Sequence, residues 1–323
     1  MSDREEKTGK NDNGKKNKGG KRNKIVAIEM IILVLMIMVA VAIFIQKDKS
    51  VKEAAKIHNQ KAKKTEQTPQ AAQKENEIEE ETEGTEEETG DRDAAVPDRS
   101  NFAVQPGVSV GTTEQFDEKI VYLTLDDGPS DNTQAVLDIL DKSNAKATFF
   151  VTGEMPEYKD MIKAAYDKGH TIGMHTYSHD YAKVYASVDA YFQDLDQIGQ
   201  MVQEEIGYVP CFIRFPGGSS NTVSKKYTAG IMSTLVQEVQ NRGYQYYDWN
   251  GSSGDGSVRT TEELVAQATS FDSNNIILLC HDSHGKQTTV EALPQIIEHY
   301  QSLGYTFKAL DRDSFVAHHG VNN

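Results

Sequence analysis

Cysteine is scarce in this chain of 323 residues, where Cys211 and Cys280 are the only two. Two thiols allow at most one disulfide, so no disulfide framework holds the fold. Both fall in apolar segments that read as buried strands, and they are expected to be core thiols, although a location outside the cell would permit a bond. Basic residues are also short: 34 Lys and Arg face 49 Asp and Glu, a net charge of −15. An acidic balance of that size argues against nucleic acid as a partner, because phosphates need Lys and Arg to neutralise them. Long apolar runs are missing as well, with one exception at 25–45.

Residues 1–24 hold nine Lys and Arg against four Asp and Glu, with no large apolar cluster. Such a segment cannot bury enough surface to offset chain entropy, and it is expected to be a disordered basic tail. Residues 25–45 carry a single charge, Glu29. As a helix the run would reach roughly 30 Å, the thickness of a hydrocarbon core, which predicts a membrane-spanning helix. Its length favours an uncleaved anchor over a signal peptide, although Ala40-Val41-Ala42 resembles a cleavage site. Seven basic residues precede the run within about 15 positions and four follow it, which predicts a cytoplasmic N-terminus and a C-terminal domain outside the cell. Residues 46–113 have no sustained apolar period, and in 75–93 eleven acids face one Arg92. Like-charge repulsion extends such a stretch, so 46–113 reads as a disordered charged linker to a folded domain at 114–323.

In that domain, short apolar runs at 120–125, 147–151, 171–174, 211–215, 244–247, 276–280 and 305–309 alternate with amphipathic stretches at 133–140, 158–168, 187–206, 261–270 and 289–303. Alternation of this kind predicts a parallel sheet covered by helices, either open or closed as a barrel. Polar residues follow the strand ends: Asp126 and Asp127, His175, Arg214, Asp248 and Asp255, and His281. The carboxyl ends of strands in such folds meet on one rim, where active sites form. An Asp capping a helix or a His satisfied in the core could explain any one of them, but not the whole set. Two histidines four apart, His175 and His179, with an aspartate as third ligand, make a facial metal site that leaves coordination positions open. The second aspartate is left to act as a base.

Four motifs in series, Thr124-Leu125-Asp126-Asp127-Gly128-Pro129, His175-Thr176-Tyr177-Ser178-His179, Arg214-Phe215-Pro216-Gly217-Gly218 and Leu278-Leu279-Cys280-His281-Asp282, resemble the polysaccharide deacetylases, the NodB-homology domain of carbohydrate esterase family 4. The resemblance covers about 118–310 and implies a deformed (β/α)7 barrel that hydrolyses acetyl groups on sugar polymers. It implies Asp127, His175 and His179 as ligands of one divalent metal, Zn2+ or another transition ion such as Co2+. It further implies Asp126 as the base, Arg214 as the partner that keeps the base ionised and aimed, and His281 as the acid that protonates the departing amine. Leu279 matches a position lining the acetyl methyl pocket.

Two positions depart from the family pattern. Gly217 stands where an aromatic residue is usual; its N–H could still donate to the oxyanion, but one wall of the glycan groove is lost. Asp255, followed by Gly256 rather than Trp, is the expected partner of His281; Asp248-Trp249 matches better by letters but lies one turn early. With an outward-facing anchor, the expected substrate is N-acetylglucosamine or N-acetylmuramic acid of peptidoglycan. Chitin-like oligosaccharide, poly-N-acetylglucosamine and O-acetylated xylan are the alternatives, and a silent glycan-binding domain is the rival of a different class. No protein partner is implied.

Overall fold

The computed structural model describes residues 99–323. The expected tail at 1–24, membrane span at 25–45 and most of the linker therefore lie outside the described residues. Among the described residues no helix is long and apolar enough to cross a membrane.

Among the described residues eight strands form one sheet, β1 (Ile120–Asp126), β2 (Ala147–Val151), β3 (Thr171–Met174), β4 (Phe212–Ile213), β5 (Gln245–Tyr246), β6 (Gly251–Ser252), β7 (Asn275–His281) and β8 (Thr306–Phe307). The order is β5-β4-β3-β2-β1-β7-β6, with β8 added beside β1, and every pairing is parallel. The helices are α1 (Thr133–Lys142), α2 (Asp160–Asp167), α3 (Tyr181–Val184), α4 (Val188–Ile206), α5 (Ile231–Asn241), α6 (Thr261–Ala268) and α7 (Gln287–Ser302).

Alternation along the strands divides the side chains between two cores. Val121, Leu123 and Leu125 of β1 join Ile276, Leu278 and Cys280 of β7 in the large cluster that includes helix residues such as Leu137, Leu195 and Leu293. Ile120 and Tyr122 point the other way, with Phe150, Phe212, Tyr247 and Ile277, into the hollow of the curled sheet. Thr124 and Asp126 continue that inward parity on β1, as Leu279 and His281 do on β7, while His175 and Arg214 continue it one residue beyond β3 and β4. The strands therefore project their last inward side chains to one end of the hollow.

The expected seven-stranded barrel is met as a curled parallel sheet whose ladder is open. Strands β5 and β6 end the order, and the C-terminal segment lines the gap, where Asp248 N donates to Ala317 O at 3.0 Å and His319 N donates to Asp248 Oδ2 at 2.8 Å. β6 is an addition to the expected strands. Gly251 and Ser252 have no strand propensity of their own, and they are drawn into the sheet by pairing with Leu278 and Leu279.

The linker boundary also moves. Residues 99–113, expected to be spacer, pack on the domain: Phe102 and Val110 are buried in the inner core, and Cys211 N donates to Phe102 O at 2.9 Å. Arg99 lies over the ring of Tyr166 and donates to the carbonyl of His170. The two cysteines are free thiols buried in different cores, so they do not pair.

Candidate active site

Asp126 is the last residue of β1, and Asp127 follows in the left-handed region at φ 67° before a cis Gly128–Pro129 bond. Thr176 (φ 68°) and His179 (φ 47°) share that conformation, so among the described residues three of the four non-glycine residues at positive φ lie in the two loops that carry the expected ligands. Side chains other than glycine avoid this region, and the surrounding contacts must hold them there. Asp194 of α4 supplies part of that hold: its carboxylate accepts from Tyr177 N (2.5 Å), Ser178 N (3.0 Å) and Ser178 Oγ (2.6 Å). Packing restricts the first loop as well, since a Cβ on Gly128 would fall 2.3 Å from the Asp282 carboxylate.

The turns bring the three expected ligands together. Asp127 Oδ1 lies 3.5 Å from His175 Nε2 and 3.3 Å from His179 Nε2, and one ligand atom from each residue lies within 4.8 Å of the others. Three features fit a divalent ion here. Asp127 Oδ1 is buried and has no hydrogen-bond partner, which is costly unless something else satisfies it. His175 Nδ1 is 2.8 Å from Arg214 O; a carbonyl only accepts, so Nδ1 carries the proton and Nε2 turns its lone pair to the cluster. Burial also lowers the His175 pKa and keeps the imidazole neutral, as a ligand must be. At Asp127 burial opposes the charge, but the neighbouring imidazoles of His175, His179 and His281 outweigh it and hold the carboxyl below its ordinary range.

Two charge-assisted pairs flank this cluster. Arg214 is fully buried, and its Nη1 donates to Asp126 Oδ1 at 2.7 Å and to Thr124 Oγ1 at 2.8 Å. Its Nε donates to Tyr247 O (2.8 Å) and Nη2 to Asp248 O (3.1 Å), and the guanidinium lies over the Phe150 ring. A guanidinium held by four acceptors cannot swing, so the Asp126 carboxylate has a fixed charged partner. Its other oxygen, Oδ2, is 3.7 Å from His175 Nε2.

His281 pairs directly across the sheet with Asp126, and its Nε2 is 3.9 Å from Asp127 Oδ2. Its Nδ1 is 2.8 Å from Asp255 Oδ1, while Asp255 Oδ2 accepts from His281 N and Thr289 Oγ1, each at 2.8 Å. Burial lowers the imidazole pKa, but the Asp255 hydrogen bond and charge, with Asp126 and Asp127, outweigh it and raise the pKa to about 9. Asp255 is therefore the residue beside His281. Asp248 has a different place: it accepts from Ser219 N (2.8 Å), Ser219 Oγ (2.5 Å) and His319 N (2.8 Å), tying the Gly217 loop to the C-terminal segment.

Gly217, at φ 76°, has an N–H that makes no hydrogen bond among the described residues. Leu279 is buried on the inward face of β7, two residues before His281. The expected site residues thus converge on one end of the sheet. The sequence reading passed over Asp194, whose helical position gave no motif. It also passed over Tyr181, whose ring packs edge-on against His179 at 5.7 Å, and Asp282, a fully buried carboxyl raised to about 7, chiefly by burial.

The family model for polysaccharide deacetylase matches residues 113–236, which include the positions from Asp126 to Gly217 and stop short of Asp255 and His281. The Bacillus subtilis (strain 168) protein YheN is 30% identical over 217 residues, covering 64% of this chain and 72% of that protein. A peptidoglycan-N-acetylglucosamine deacetylase from Bacillus cereus is 33% identical over 200 residues, 60% of this chain and 68% of its own. Among solved structures, the catalytic domain of a peptidoglycan N-acetylglucosamine deacetylase from Eubacterium rectale is 46% identical with a TM-score of 0.63, covering 65% of this chain and 97% of that one. Similarity along most of the relatives' length, in sequence and in fold alike, places this chain in the polysaccharide deacetylase family.

Proposed function

We propose that the protein removes acetyl groups from N-acetylglucosamine or N-acetylmuramic acid of peptidoglycan, with one divalent metal ion, Zn2+ or a similar transition ion, held by Asp127, His175 and His179. The observation that carries this reading is the pair of clamped groups of opposite role on either side of those three residues: Asp126 on Arg214 at 2.7 Å and His281 on Asp255 at 2.8 Å. When bound, the ion would polarise the acetamide carbonyl and acidify water.

The chain's own groups account for the proton movements. Asp126, held in place by Arg214, takes a proton from the attacking water. The N–H of Gly217 points the acyl oxygen and stabilises its developing charge. His281, charged at neutral pH by its Asp255 contact, gives its proton to the leaving amine, which is too basic to depart unprotonated. Leu279 supplies an apolar surface for the acetyl methyl. A location outside the membrane, on an anchor at 25–45, belongs to the same proposal and supports a cell-wall substrate.

The test uses protein stripped of metal and reloaded with Zn2+ or Co2+, with acetate release measured from peptidoglycan, chitin oligomers, poly-N-acetylglucosamine and acetylated xylan. Metal-restored release, greatest on peptidoglycan, is the expected result. Release that is unaffected by metal, or a His175→Ala protein with wild-type turnover, would remove the metal assignment.

A further inference from the structure

Tyr181 opens the short helix α3, two residues after His179, and no motif pointed to it. Its position is nevertheless fixed from several sides. Asp180 caps the helix, its Oδ1 accepting from Ala182 N at 2.9 Å. One turn on, Tyr185 packs against the Tyr181 ring at 5.6 Å and donates its hydroxyl to Pro216 O at 2.8 Å. That bond ties α3 to the Arg214–Gly218 loop, so the Tyr181 ring cannot drift away from it.

The phenol ends over Gly217. A Cβ on Gly217 would lie 2.6 Å from the Tyr181 hydroxyl and 3.4 Å from the ring carbon that bears it. Tyr181 therefore fills the space that a side chain at 217 would occupy. On its other side the ring meets His179 at 5.7 Å. The Tyr181 hydroxyl makes no hydrogen bond to any group among the described residues, and the side chain is only half-buried. An unpartnered hydroxyl is thus held beside Gly217, on a ring that packs against the expected ligand His179.

We infer that Tyr181 is a catalytic residue whose hydroxyl donates a hydrogen bond to the acyl oxygen of the substrate, alongside the N–H of Gly217. The inference rests on the deacetylation reading and adds to it a donor from a different element. Such a donor acts on charge that develops during attack, so its loss falls on turnover more than on binding.

The experiment compares wild-type, Tyr181→Phe and Tyr181→Ala proteins for zinc affinity, for affinity of the metal-free protein toward an N-acetylglucosamine oligomer, and for steady-state kinetics. Removing only the hydroxyl in Y181F is expected to lower kcat by about 10- to 100-fold, with KM and zinc affinity within about twofold of wild type. Oligomer affinity of the metal-free protein is expected to hold in Y181F and to fall in Y181A, which also loses the ring. A Y181F protein with wild-type kcat overturns the assignment, as does a loss of turnover that tracks weakened zinc binding. Zinc-loaded wild type that releases no acetate from any glycan overturns the deacetylation reading itself, an outcome distinct from equal turnover by wild type and Y181F.

Discussion

Two histidines show how environment sets a residue's role. His281 faces carboxylates that push its pKa to about 9, so it is protonated at neutral pH. In its proposed role as the acid it is active below that value, and activity is expected to fall as pH rises through about 9. Asp255→Asn removes the main opposition to burial, so the alkaline limb of the rate profile should move to lower pH and kcat should drop by about 10- to 100-fold. A limb that stays near its original pH would show that Asp255 does not charge His281. His170 is the converse case. It is fully buried, its Nδ1 accepts from Ala147 N at 3.2 Å, and burial followed by the nearby Lys146 lowers its pKa to about 3. The unfolded chain binds that proton with ordinary affinity, so stability should be lost as pH falls from about 6.5 toward 3, by about 3 kcal/mol at pH 4. Urea unfolding at pH 7 and pH 4.5 checks this: a His170→Gln variant should lose less stability between the two pH values than wild type does.

Strands β1 and β7 carry Asp126 and His281 at their ends, and the other elements contribute by presenting loops. The His175–His179 loop leaves β3 with two residues at positive φ, and α4 holds it through the single carboxylate of Asp194. Asp194→Ala should leave three donors without that acceptor and weaken metal binding by about 10- to 100-fold while the protein still folds. Metal titration of the folded variant reads this directly. Legibility also varied by element. The strands at 147–151 and 171–174 stand where they were expected because short runs rich in apolar and β-branched residues mark them, and both of their faces are buried. Helix α5 was missed although its apolar spacing of Ile231, Met232, Leu235 and Val239 is present. Its N-cap is Gly230, which has no side chain to announce a helix start.

For the molecule as a whole, the domain begins earlier than its apolar pattern implies. Residues 99–113 bury Phe102 and Val110 beneath the open side of the sheet. A chain cut at 114 should therefore be less stable than one cut at 99, by roughly 3 to 5 kcal/mol if the two side chains are the main loss. Thermal melting of the two truncated proteins checks it; equal melting temperatures would show that the segment adds nothing. The segment was illegible because its burial comes from scattered single residues around Pro106 and Gly107, with no period to reveal them.

The amino-acid sequence alone determined the alternation of strands and helices, the inward parity that carries Asp126, His175, Arg214 and His281, and the family motifs. These are local patterns of period and spacing, written in residues near one another. The tertiary structure brought the expected Asp255 to His281, and it alone decided that Asp248 instead ties the Gly217 loop to the C-terminal segment, that Asp194 braces the His175–His179 loop, and that Tyr181 covers Gly217. Each of these is a contact between separate loops or elements, and its geometry depends on how backbone turns such as those at Asp127 and His179 aim the chain.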